Sequence, residues 1–131
     1  LMGLGGNVGN QSSAIIVRGL ATGAIKEKHA LNIIFKEILT GLGMGFILAS
    51  IVLSFNLVIL HQNPIFSIIV SLAILSNITV ATFIGSTLPL LFNRLNIDPA
   101  IASAPFISTT LDIVGQLIYF SLTLRILTNF L

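Results

Sequence analysis

From Ile38 to Asn93 the chain contains no Asp, Glu, Lys or Arg. A soluble domain of 131 residues has too much surface for its volume to hide so long an uncharged run. Composition extends the point to the whole chain. Hydrophobic residues make up 55% and charged residues 8%, where a soluble domain carries about 25% charged residues. The mean hydropathy is +1.07. If lipid is the solvent, the difficulty disappears, and the chain reads as an all-α integral membrane protein.

The uncharged run is too long for one crossing. His61-Gln62-Asn63-Pro64 divides it, because Asn-Pro favours a turn and Pro disfavours helix in the residue before it. The two resulting spans are Ile38–Leu60 and Ile65–Phe92, each long enough for the ~20 residues that cross a bilayer. Pro99–Leu111 and Ile113–Leu124 are also uncharged, with Asp112 alone between them, and together make a third span. Pro99 suits a first turn, and Pro105 is expected to kink the helix and free carbonyls near Ala102–Ala104. Leu1–Ile25 is more polar and reads as the latter part of a fourth membrane helix, leaving the membrane near Arg18. Its first residues lack the basic region of a signal peptide and resemble the interior of a helix, so a longer parent protein is expected. The expected architecture is a bundle of about four membrane segments within one domain, 1–131.

Five of the six basic residues fall in the 18–37 and 93–98 connectors, which the positive-inside rule makes cytoplasmic. Ile33-Ile34-Phe35 is expected as a short interfacial helix in the first of these. Gly41, Gly43 and Gly45 contain a small-xxx-small spacing, read as ordinary helix packing. The net charge of +2 is not clustered as nucleic-acid binding requires. Without cysteine there is no disulfide, thiolate metal site or thiol nucleophile. No zincin, phosphate-loop or nucleophile-elbow motif is present, His29 and His61 have no ligand-spaced partner, and the chain reads as a non-enzyme.

Asp112 is the strongest candidate for function. A carboxylate at the bilayer centre costs about 2.5–3.5 kcal/mol on insertion scales and normally meets a wet cavity, a partner or an ion. No Lys or Arg in the other spans can pair with it. On a helical period, Pro105, Ser108, Asp112, Gln116 and Tyr119 share a face, flanked by Thr109 and Gly115. The competing reading is a neutral carboxyl hydrogen-bonded to a neighbouring helix. The second candidate is Gly6-Asn7-Val8-Gly9-Asn10-Gln11. Its amides can accept from ion-bound water and its glycines let carbonyls approach a pore axis, but Asn and Gln also tie membrane helices together. Glu37 is read as the acid opening a span, and Asp98, before Pro99, as an N-cap.

Several phrases, read in order, resemble the transmembrane domain of the MgtE family of magnesium channels and transporters. They are Gly5-Gly6-Asn7-Val8-Gly9-Asn10-Gln11-Ser12, Arg18-Gly19-Leu20-Ala21, Lys36-Glu37, Leu88-Pro89-Leu90-Leu91, Asp98-Pro99-Ala100 and Asp112-Ile113-Val114-Gly115. The resemblance covers essentially the whole chain. It implies a homodimer with five membrane helices per subunit. This chain supplies the end of the second helix and all of the third to fifth, without the first helix or the cytosolic gating domains. It also implies a multi-pass protein of the bacterial inner membrane, with a pore between the second and fifth helices of two subunits. By position, Asp112 matches the pore acid, and Asn10 and the Gly6 carbonyl match pore-lining places. Ser108 matches a backbone contributor, and Ala104 stands where some members carry Asn. Asn7, Gln11 and Gly115 join the pore lining, while Glu37 and Asp98 match acids at the cytoplasmic mouth, where further metal binds in some members. The expected function is transport of Mg²⁺ through a dimeric pore down its electrochemical gradient, with Mg²⁺ as cargo and no cofactor. The alternatives are a proton- or sodium-coupled transporter using Asp112 as relay, and a non-transporting membrane fragment.

Overall fold

A computed structural model of the protein describes residues 2–130. Four long helices and no strand occur among the described residues: α1 (Met2–Ala21), α2 (Ala30–Ser54), α3 (Pro64–Arg94) and α4 (Ala104–Phe130). α2 continues through a π-helical turn, Phe55–Ile59. Short 3-10 turns, Glu27–His29 and Pro99–Ile101, precede α2 and α4.

The turn between α2 and α3 forms as the Asn-Pro dipeptide requires. The Asn63 side chain accepts from the Ile65 N–H at 2.8 Å, and Pro64 takes the first helical position, where no N–H is needed. His61, at φ 48°, provides the left-handed residue that turns the chain. α3 has 31 residues, about 46 Å at 1.5 Å per residue. That exceeds the hydrocarbon thickness of ~30 Å, so Arg94 in its last turn reaches the interface.

α3 is the centre of the bundle. Half of its spanning stretch is buried, against 17% for α2 and 11% for α4. α2 lays its Gly41, Gly45 and Ala49 stripe on α3, where Gly41 faces Thr82 and Gly45 faces the Leu75 backbone. Small residues suit this contact because lipid leaves close van der Waals packing as the main attraction between helices. α1 crosses α3 closer still, since a Cβ on Gly85 would strike the Gly9 carbonyl. Ile78, Ala81, Ile107 and Leu111, all fully buried, fill the space among α1, α3 and α4.

Three local expectations change. Ile33-Ile34-Phe35 is not a separate interfacial helix but part of α2, which starts at Ala30. Lys36 and Glu37 therefore lie in its second turn and do not open it. No Gly or Pro interrupts Ala30–Thr40, and charge alone does not stop a helix. Pro105 does not kink a span that begins at Pro99. The chain breaks at Ala102 and Ser103, and Pro105 lies in the first turn of α4, whose Ile107 N–H already bonds the Ser103 carbonyl.

Candidate functional site

α1 and α4 meet along a polar seam. The Ser13 hydroxyl donates to the Ala102 carbonyl at 3.1 Å, and the Asn10 Nδ2 donates to the Ser108 Oγ at 2.8 Å. Further along, Gly5 of α1 and Gly115 of α4 both face the buried Asn77 side chain of α3. Residue numbers fall on α1 as they rise on α4, so the helices are antiparallel. Asp112, one turn past Ser108, falls between the Asn10–Ser108 bond and the Gly115 level. The break before α4 exposes the Ala102 carbonyl that Ser13 captures, so the freed carbonyls expected near Ala102 do arise, from a different cause.

Each candidate has a definite place. Gly6 is buried against Ser108, where an added Cβ would lie 3.3 Å from its hydroxyl and 3.5 Å from its Cα. Its lack of a side chain sets the approach of α1 to α4. Asn10 is half-buried, and its Oδ1 is shielded from solvent with no hydrogen-bond partner among the described residues. A cavity of about 210 Å³ lies beside it, with Ser13, Ser103 and Ala104 in its wall. Asp112 is half-buried, and no hydrogen bond or ion pair engages its carboxylate among the described residues. Arg125, on the same helix, is thirteen residues on, about 20 Å along the axis, too far to pair. Asn7 and Gln11 are exposed on the outer face of α1, while Gly115 is buried.

Glu37 and Asp98 stand apart. The Ser12 hydroxyl of α1 donates to Glu37 Oε2 at 2.6 Å, tying α1 to α2. Asp98 Oδ1 accepts from the Ala100 N–H at 2.9 Å, the capping role its place before Pro99 suggests. Among the described residues no three His, Asp or Glu side chains gather as a metal cluster within one chain. Sequence reasoning missed Asn77, Ser12 and Ser13. Asn77 was the available signal: a buried amide in the middle of an apolar span, with glycines from two other helices placed to admit it.

A helix bundle with three helices long and apolar enough to cross a membrane is the architecture of a membrane protein, in which an acid such as Asp112 is a functional-site candidate. The chain belongs to the MgtE family, described as divalent cation transporters, whose model matches residues 1–122. It is 38% identical over 122 residues to the magnesium transporter MgtE of Enterococcus faecalis, covering 93% of this chain and 27% of that protein. Against the magnesium transporter MgtE of Thermus thermophilus it is 35% identical, covering 92% of this chain and 26% of that protein. The Bacillus subtilis magnesium transporter MgtE is 32% identical, with 92% and 26% covered. The chain thus spans about a quarter of the length of the curated relatives it matches. It is a membrane protein.

Proposed function

We propose that this chain forms the ion pathway of a magnesium transporter, in which two copies bring their α1–α4 seams together around the ion. The observation that carries this reading is the pair of unengaged oxygens on one seam, the Asp112 carboxylate and the Asn10 Oδ1. Names of the relatives, all magnesium transporters, support the choice of cargo.

Mg²⁺ demands octahedral geometry and gives up water reluctantly. One carboxylate per chain cannot build a protein cage for it. Two Asp112 side chains facing across a dimer axis suit a hydrated ion held through its water. Their mutual repulsion is relieved by a divalent cation between them. Asn10 Oδ1 is an acceptor for a proton of ion-bound water, and the Gly6 and Ser108 carbonyls each keep a lone pair beyond the helix bond. Asn7, Gln11, Ala104 and Gly115 complete the lining of the pathway. Glu37 and Asp98 lie toward the cytoplasmic mouth, and their bonds to Ser12 and the Ala100 N–H leave carboxylate oxygens for further metal. The inward field supplies the driving force: one charge across ~100 mV gains about 2.3 kcal/mol, and a divalent ion twice that.

Asp112→Ala is expected to abolish Mg²⁺ uptake while membrane insertion and dimer assembly survive. Asn10→Ala reduces flux less severely. Isotope or dye-based uptake into proteoliposomes, with assembly followed by size-exclusion chromatography, measures both. Uptake near normal in assembled Asp112→Ala protein removes Asp112 from the pathway. Currents that reverse at the Mg²⁺ equilibrium potential are expected for a channel, and a reversal that follows the proton or sodium gradient would show coupling instead.

A further inference from the structure

A second cavity, of about 520 Å³, opens between the start of α2 and the end of α3, with neither Asn10 nor Asp112 in its lining. Lys28 and Arg94 stand at it, Leu31, Ile34 and Leu90 line it, and Thr87 contributes to its wall. No acidic side chain lines it among the described residues. The Thr87 hydroxyl oxygen is buried without a hydrogen-bond partner among the described residues. The α2 N-terminus beside the cavity has no side-chain cap from His29. Both basic residues belong to the connectors that the positive-inside rule makes cytoplasmic.

We infer that this cavity binds an anionic glycerophospholipid of the cytoplasmic leaflet. Its phosphate lies between Lys28 and Arg94, and one acyl chain runs along Leu31, Ile34 and Leu90. Charge complementarity selects the headgroup: two cations converge where the inner leaflet presents negative charge. The apolar wall selects a lipid over a free phosphate. Leu31 is 83% exposed and Leu91 45%, so the wall is continuous with the surface that faces acyl chains. A small anion would leave that wall unfilled. The unpartnered Thr87 hydroxyl adds one further donor in the wall of the same cavity.

Native mass spectrometry of the full-length protein in detergent, with phosphatidylglycerol or phosphatidylcholine added, tests this inference. Retained phosphatidylglycerol is expected to exceed phosphatidylcholine, and Lys28→Gln with Arg94→Gln weakens its retention on the order of tenfold. Arg18→Gln with Lys26→Gln removes two charges outside the cavity and leaves retention unchanged. Thr87→Val lowers the preference for phosphatidylglycerol by a smaller factor. Equal retention of the two lipids overturns the inference, as does a loss of equal size in the Arg18/Lys26 control. Thermal stabilisation by inorganic phosphate alone that matches the lipid's would assign the site to free phosphate and overturn the lipid reading. Melting temperatures of the variants without lipid confirm that each is folded.

Discussion

At residue scale, two glycines of the bundle separate packing from tolerance. A Cβ on Gly85 would strike the backbone of Gly9, which has no rotamer to change, so α1 must move off α3. Gly43 has nothing within 4 Å of an added Cβ. Gly85→Ala is therefore expected to destabilise the protein by about 1–3 kcal/mol. Gly43→Ala is expected to be neutral or to stabilise by up to about 1 kcal/mol, because it removes backbone freedom from the unfolded chain. Melting temperatures in one detergent compare them, and equal losses would contradict the close crossing. Asn10 shows how a residue's place limits what sequence can say. Its polarity in an apolar setting marked it, but two uses were open. The structure shows the interhelical one, Nδ2 tying α1 to α4, while Oδ1 stays unengaged among the described residues.

At the scale of elements, capping residues declared themselves and helix starts did not. Asn63-Pro64 and Asp98-Pro99 both fold as their chemistry requires, since an acceptor side chain before a proline satisfies a nearby N–H wherever the segment sits. α2 starts eight residues before the uncharged run that begins at Ile38, because Lys36 and Glu37 are charged but do not break a helix. Glu37 is accommodated there by α1, whose Ser12 hydroxyl donates to it. Asp98 invites a direct experiment, because its cap and its candidate metal role predict different outcomes. Asn caps as well as Asp but carries no charge. Asp98→Asn is expected to keep the melting temperature and Asp98→Ala to lower stability by about 0.5–2 kcal/mol. If Asp98 also binds metal at the mouth, Asp98→Asn weakens Mg²⁺-dependent stabilisation. An unchanged Mg²⁺ response leaves it a cap alone.

At the scale of the whole molecule, the exposed polar stripe of α1 demands an environment. Asn7 and Gln11 are exposed on α1, away from the chain's own core, and an amide left unsatisfied in lipid is expensive. The proposed water-filled pathway between two copies would supply it. The chain has no cysteine, so single replacements report cleanly. Asn7→Cys is expected to form an oxidant-induced dimer in membranes, and Phe46→Cys, on α2 with 67% exposure, is not. Dimers from Phe46→Cys and none from Asn7→Cys would place the interface on α2 instead.

The division between sequence and fold has a physical basis. Solvent class, helix content, the central turn and the isolation of Asp112 follow from transfer free energies and local backbone rules, which act on each segment wherever its neighbours lie. The centrality of α3, the insertion of Asn77 between two glycine-bearing helices and the use of Glu37 by Ser12 depend on which faces meet. That choice is set by interhelical packing, between residues as far apart in sequence as Asn10 and Ser108. Composition and periodicity cannot carry that information, since lipid accepts any apolar face and only close contact distinguishes one from another.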